Sequence, residues 1–283
     1  MNICWFNDNR LGVASNDVIH DVTEALQALP PPAYPGAAGD HLVRHLDRLL
    51  PAIANVLPNA TPYSIAEVQL ASPVANPGKI IGVPVNYLAH VEEAAADVAT
   101  FTDRYTGGIR EQGLFLKATS SLIGCRTPVT IRMPDRLTHH ELELAVIIGK
   151  TASNVLAADA FSYIAGYAIG LDMTIRGPED RSFRKSLDTY SVLGPWLVTA
   201  DKIPDPQRLE MRLLVNGELR QSTNTSKMIM PIAEQIAWAS SFYTLYPGDI
   251  IMTGTCEGVG PVNPGDTLYA EIEQIGAMTV QVA

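Results

Sequence analysis

Residues 140–150 read His140-Glu141-Leu142-Glu143-Leu144-Ala145-Val146-Ile147-Ile148-Gly149-Lys150. The apolar, β-branched tail closed by Gly149 predicts a strand over 141–149. Successive side chains on a strand point to opposite faces, so Glu141 and Glu143 share one face. Two carboxylates that close repel each other, and each loses hydration if buried. A hard cation reverses that cost, because Mg²⁺, Mn²⁺ and Ca²⁺ bind carboxylate oxygens. Glu-x-Glu is common, however, and spacing alone favours a solvated outer strand face. Of His139 and His140, only His139 falls on the face of the glutamates, and it is discounted as a ligand.

Working outward, Ile164-Ala165-Gly166-Tyr167-Ala168-Ile169-Gly170-Leu171 carries no charge and ends on Asp172. A lone acid closing an apolar strand is either a cap for the next turn or a ligand. Together with Glu141 and Glu143 it makes a facial set of three oxygens. His90 and Glu93 stand three apart in a segment that reads as helix, so they share a face. A carboxylate beside an imidazole orients it and raises its basicity, although an incidental surface pair is the plainer reading of the bare spacing. Lys185, in Arg181-Ser182-Phe183-Arg184-Lys185, is either a group that stabilises a developing oxyanion or an exposed loop lysine. Arg176 can clamp a substrate carboxylate or pair with Asp180. Gly254-Thr255 follows a buried strand, where a glycine lets backbone N–H groups approach a ligand or makes a tight turn.

The chain has 283 residues, 47% hydrophobic and 18% charged, which excludes a disordered chain and suffices for a large core. Thirty acidic against twenty basic residues give a net charge of −10. That argues against a nucleic-acid binder, but not against an anionic substrate, since a metal reverses the local sign. Cys4, Cys125 and Cys256 form no framework, which fits a reducing compartment and a cytoplasmic location. No signal peptide or spanning apolar run is read, so no membrane partner is expected. G-x-G-x-x-G, G-x-S-x-G and H-E-x-x-H are absent.

An amphipathic helix is predicted over 40–57, with Leu42, Val43, Leu46, Leu49, Leu50 and Ile53 at helical spacing and Asp40 as N-cap. Residues 72–78, Ser-Pro-Val-Ala-Asn-Pro-Gly, form a rigid joint. The domain boundary is placed there, with a small accessory domain over 1–72 and a larger domain over 73–283. In the larger domain strands are expected at 79–85, 114–117, 141–149, 164–173, 249–253, 267–273 and 277–282. Helical stretches are expected at 88–112, carrying Glu92, Glu93, Asp97 and Asp103 and interrupted by Gly107 and Gly108, and at 231–243. There is no repeat and no regular βαβ alternation.

Together these segments resemble the fumarylacetoacetate hydrolase family over roughly 72–283. The matching pieces, in order, are Lys79-Ile80-Ile81-Gly82 with Asn86-Tyr87 and His90; Leu114-Phe115-Leu116-Lys117 with Ser120-Ser121; the Glu141–Lys150 run; and Gly166-Tyr167 through Asp172 and Arg176. They continue with Lys185-Ser186 through Leu193-Gly194-Pro195-Trp196, then Asn216-Gly217-Glu218 to Gln221, Pro247-Gly248-Asp249, and Gly254-Thr255 to Gly260. The resemblance implies an α+β fold, a strand-rich mixed β-sheet roll, usually homodimeric. It implies Glu141, Glu143 and Asp172 as ligands of Mg²⁺ or Mn²⁺, with Ca²⁺ a third candidate. It implies His90 and Glu93 as the pair that activates water, Lys185 beside the substrate oxygens, and Lys117, Arg176, Gly254 and Thr255 as substrate contacts.

The expected substrate is a small anionic 2-oxo or 2,4-dioxo acid. The expected reaction is hydrolysis of a C–C bond in an acylpyruvate, with the departing pyruvate enolate held by the metal. The alternative is a decarboxylase or keto–enol isomerase acting on an oxaloacetate-like or hydroxyheptadienedioate-like acid. A catalytically silent binding protein is disfavoured, because the carboxylates, the His–Glu pair and the lysine are all present. Cys256 stands where the family often has proline. Gly177 and Glu179 stand where many members have aspartate and glutamine, and the segment between Asp172 and Lys185 is short. All of these departures border the substrate.

Overall fold

The computed structural model describes residues 1–96 and 107–283. Its centre is the strand Leu142–Ile148, in which every residue is buried. It pairs antiparallel with Ile164–Asp172 on one side and with Ile250–Thr255 on the other. Beyond Ile164–Asp172 the sheet continues through Ser191–Thr199, Asn2–Phe6, Arg10–Ser15 and Val18–Asp21 to Thr61–Ser64. Beyond Ile250–Thr255 it continues through Ile80–Gly82 to Phe115–Lys117, and Leu122–Gly124 pairs parallel with Ser191–Thr199. A three-stranded sheet (Thr174–Ile175, Thr138–His140, Gly260–Val262) and a four-stranded one (Glu218–Asn224, Glu210–Val215, Thr267–Ile272, Gly276–Gln281) complete a strand-rich mixed α+β fold.

A central strand without alternation in its apolarity needs cover on both faces, and the packing supplies it. Leu142, Leu144, Val146 and Ile148 enter one core, shared with Leu213, Leu268, Ile232 and Ile236 of the four-stranded sheet and the helix Ile232–Phe242. Ala145 and Ile147 enter a second core with Leu42, Val43, Leu46, Leu49 and Ile53. The helix expected over 40–57 is therefore the lid of the second face. It forms as two pieces, His41–Arg44 and Leu46–Val56, meeting at His45.

Residues 1–72, expected as an accessory unit, continue the main sheet. Asn2 and Ile3 pair with Val198 and Leu197, and the second core is built jointly from both segments. Asp40 fastens this arrangement to the joint at 72–78. Its side chain, 2% exposed, accepts from the Val43 N–H at 3.0 Å and from the Ala75 and Asn76 N–H groups at 3.1 and 2.9 Å. The helical stretch expected over 88–112 is seen as Leu88–Ala96 and Ile109–Gln112; Asp97 and Asp103 lie outside the described residues. No helix among the described residues is long and apolar enough to cross a membrane.

Asp40→Ala removes a helix cap and the acceptor of the Ala75 and Asn76 amides, so it should lower unfolding stability by about 1–2 kcal/mol. A urea denaturation midpoint that stays at the wild-type value would contradict this account.

Candidate active site

Strand parity builds the site. At its start, the face of the Leu142–Ile148 strand that carries Ala145 and Ile147 also carries Glu143 and, one step before the strand, Glu141. The pairing Gly170↔Glu143 and the hydrogen bond from the Asp172 N–H to the Glu141 carbonyl, 2.9 Å, bring Asp172 to the same end of the same face. One carboxylate oxygen from each of Glu141, Glu143 and Asp172 lies within 4.8 Å of the others. All three are buried, at 5%, 3% and 0% exposure. The solvated outer face suggested by the spacing is thus overturned: the three carboxylates are buried and share a cavity wall with Val83, Phe115 and Thr255.

Three buried acids need compensation, and the hydrogen bonds show where it comes from. The Lys185 ammonium donates to Glu141 Oε2, Asp172 Oδ2 and Thr174 Oγ1, each at 2.7 Å. Arg176 Nη2 donates to Glu141 Oε1 at 2.9 Å. Lys117, expected as a substrate contact, lies behind the site. It is fully buried and donates to Asp172 Oδ1 and to the Tyr190 carbonyl, 2.7 Å from the latter. Gly254, also expected to touch substrate, instead donates its N–H to Glu143 Oε2 at 2.7 Å. Its φ of +98° is open to glycine, and a Cβ there would come 2.6 Å from Asn86 Cβ. Thr255 lines the cavity and donates to the Leu142 carbonyl at 2.8 Å.

The three carboxylates are not equivalent. Burial pushes Glu141 up, but Lys185, Arg176 and His90 more than offset this and hold it well below the usual range. Glu143 is held by a neutral amide. Burial, then Asp172, then Glu141 push its pKa well above the ordinary value of 4.5. A donor set made wholly of hard, buried oxygens, with one member destabilised as an anion, fits a divalent cation of the Mg²⁺ or Mn²⁺ kind.

A cavity of about 100 Å³ opens on the carboxylates, and His90, Phe115, Arg176, Arg181, Arg184 and Lys185 are in its wall. His90 Nδ1 lies 3.0 Å from Glu93 Oε2, and the Gly258 N–H donates to Glu93 Oε1 at 2.9 Å. The pair is therefore a braced unit at the site and not an incidental surface contact. Of the departures noted in the sequence, Cys256 is buried, and burial with the charge of Glu257 pushes its thiol up to about 12. It stays protonated at neutral pH. Glu179 turns to Arg136, with oxygens 2.9 and 2.7 Å from its guanidinium nitrogens, and those hydrogen bonds hold its pKa down at about 2.

Sequence reasoning did not single out Asn86, Gln221, Arg181 or Arg184 as site residues. Asn86 joins the Thr253 carbonyl to both main-chain groups of Met230. Gln221 accepts from the Leu142 N–H and donates to Thr255 Oγ1, at 2.9 and 2.8 Å. Asn86 and Gln221 stand in the segments that carry the family resemblance, which was their signal, while Arg181 and Arg184 become visible only once burial is known.

Carboxylates buried on a sheet end, with a braced imidazole beside them, are the parts of an enzyme that works through a divalent cation and a general base. The chain belongs to the fumarylacetoacetate hydrolase family: the model of the fumarylacetoacetate (FAA) hydrolase C-terminal region matches residues 79–283. The chain is 54% identical to maleylpyruvate hydrolase of Aquipseudomonas alcaligenes, covering 100% of this chain and 99% of that protein. Its fold is similar to the crystal structure of maleylpyruvate hydrolase from Sphingobium sp. SYK-6 in complex with manganese(II) ion and pyruvate. There the TM-score is 0.85 and the identity 43%, over 100% of this chain and 99% of that one. It is also 36% identical to the human mitochondrial oxaloacetate tautomerase FAHD2A, over 83% of this chain and 74% of that protein.

Because Glu143 is protonated more readily folded than unfolded, metal-free stability should fall as pH rises from about 4.5 through its raised pKa. Glu143→Gln should flatten that fall while weakening Mn²⁺ binding by roughly a hundredfold or more. Thermal melts across pH and a manganese titration followed by electron paramagnetic resonance read the two effects separately.

Proposed function

We propose that this chain hydrolyses maleylpyruvate, a 2,4-dioxo acid of the acylpyruvate type, to maleate and pyruvate. The observation that carries this reading is the convergence of three buried carboxylates and the His90–Glu93 pair on one cavity. The strong likeness to two maleylpyruvate hydrolases supports the choice of substrate.

Glu141, Glu143 and Asp172 would hold the cation, Mn²⁺ in the first instance and Mg²⁺ as the alternative. When bound, the cation supplies Lewis acidity toward the carboxylate and 2-oxo oxygens of the substrate. Glu93, accepting from Nδ1–H, leaves the Nε2 lone pair of His90 as the base. His90 takes a proton from water, and the hydroxide adds to the distal carbonyl carbon. The C–C bond to the pyruvyl methylene then breaks. Its electron pair leaves with the pyruvate fragment as an enolate, which takes up the proton held on His90. Lys185 spends its three N–H groups on Glu141, Asp172 and Thr174. It therefore acts first by holding two carboxylates in place and keeping Glu141 ionised, and it stabilises a substrate oxyanion by exchanging one of those bonds. Arg176 steadies Glu141 in the same way.

A second reading is favoured by the likeness to an oxaloacetate tautomerase. His90 would then move a proton between carbon and oxygen of a 2-oxo acid with no attacking water. Decarboxylation of oxaloacetate is a further outcome of the same site. For the assembly we infer a homodimer; Leu156, Phe161 and Phe242, all exposed, offer apolar surface for it.

Proton NMR of the manganese-loaded enzyme with maleylpyruvate, and in parallel with oxaloacetate, should show pyruvate and maleate from the first. Interconverted oxaloacetate tautomers without cleavage of maleylpyruvate would move the assignment to the second reading. His90→Ala should slow hydrolysis roughly 10²–10⁴-fold, and excess chelator should abolish it until Mn²⁺ is restored.

A further inference from the structure

We propose that Arg181 determines the specificity of this site by receiving a second carboxylate at the far end of the acyl arm. The inference rests on the acylpyruvate reading for the direction in which substrate lies. Phe115 sets the geometry. It pairs with Gly82 across the sheet, and a Cβ on Gly82 would come 2.0 Å from the ring, so only glycine lets the ring lie there. Two cations flank that ring: Lys185 Nζ is 5.2 Å from its centroid and Arg181 Cζ 5.9 Å. Lys185 is tied to the metal-site carboxylates. Arg181 is therefore a second cation against the same ring, in the wall of the cavity that opens on the carboxylates.

Arg181 is 9% exposed and is held by the side-chain amide oxygen of Gln112. Arg184, one turn along the same short helix, donates to the carbonyls of Glu179 and Ile175 and fixes the loop beneath. Asp180, directly before Arg181, accepts from the Ser182 N–H and hydroxyl through Oδ1, and Glu179 pairs with Arg136. A substrate with its pyruvyl end on the cation would run its planar acyl arm along the Phe115 ring and bring a terminal carboxylate to the guanidinium fork. A carboxylate-free acyl arm gains nothing there and leaves the buried fork without that ligand.

Isothermal calorimetry on the manganese-loaded protein tests this without turnover. The probes are 2-oxopimelate and 2-oxoheptanoate, equal in chain length, one ending in a carboxylate and the other in a methyl group. The wild type should bind the diacid at least about tenfold more tightly. Arg181→Met should remove most of that ratio, and Arg181→Lys should keep part of it. Gln112→Leu, which removes the amide that orients the guanidinium and leaves its charge, should lower the ratio about threefold. It decides the matter if Arg181→Met does not fold. Equal binding of the two acids by wild type, or a ratio unchanged in Arg181→Met or, failing that, in Gln112→Leu, overturns the proposal. Hydrolysis of maleylpyruvate and acetylpyruvate by wild type is measured alongside. If neither is cleaved yet the binding ratio stands and collapses in Arg181→Met, the hydrolase reading fails and the carboxylate subsite remains. If maleylpyruvate is cleaved and the ratio is absent, the subsite alone fails.

Discussion

Three carboxylates forced together in a dry sheet end are the constraint around which the rest of this molecule is arranged. Isolated, they would repel and would forfeit hydration worth more than a domain's net stability. The fold answers with cations brought from separate parts of the chain. Lys117 comes from the edge strand Phe115–Lys117, Arg176 from just past Asp172, and Lys185 from the end of the short helix that follows. Each of the two ligands nearest to these cations, Glu141 and Asp172, is bound through both oxygens. Glu143 alone is left with an amide, and it is the position where a divalent cation has most to offset.

The same constraint explains why the central strand is buried on both faces. A carboxylate at a solvated sheet edge would be ionised and independent of its neighbours. Here the second core, roofed by the helices from His41 to Val56, takes in Ala145 and Ile147 of the strand face that also carries Glu141 and Glu143.

Much of this was legible in the residues. The strand Leu142–Ile148 announces itself by an unbroken apolar run and a closing glycine, and Asp172 by being the lone charge after one. Burial of the glutamates was not legible, because it depends on which distant segments cover each face. The strand Ser191–Thr199 escaped notice since Gly194-Pro195 in its middle reads as a loop. The hairpin Glu210–Val215 with Glu218–Asn224 was hidden by Arg212, Arg220 and Glu218, although Asn216-Gly217, with φ of 52° and 83°, is a strong hairpin signal. Lys117 and Gly254 were placed near the site by resemblance, and only coordinates distinguish a residue that touches substrate from one that holds a ligand. Arg181 and Arg184 looked like part of a basic loop until their burial was known.

The three clustered carboxylates come from two strands that are hydrogen-bonded neighbours in the sheet, joined through residues 149–163. The walls of the cavity come from elsewhere: the helix at 88–96, the strand at 115–117 and the turn of helix at 181–184. The clustered carboxylates therefore sit in the middle of a sheet, while the His90–Glu93 pair and the rest of the wall sit on its periphery. Drift in the peripheral stretches can change which acid is accepted without disturbing the ligand geometry. A lineage built on this plan can diversify its substrates by insertion and replacement at the rim, as proteins that carry hydrolase and tautomerase names on related sequences would require.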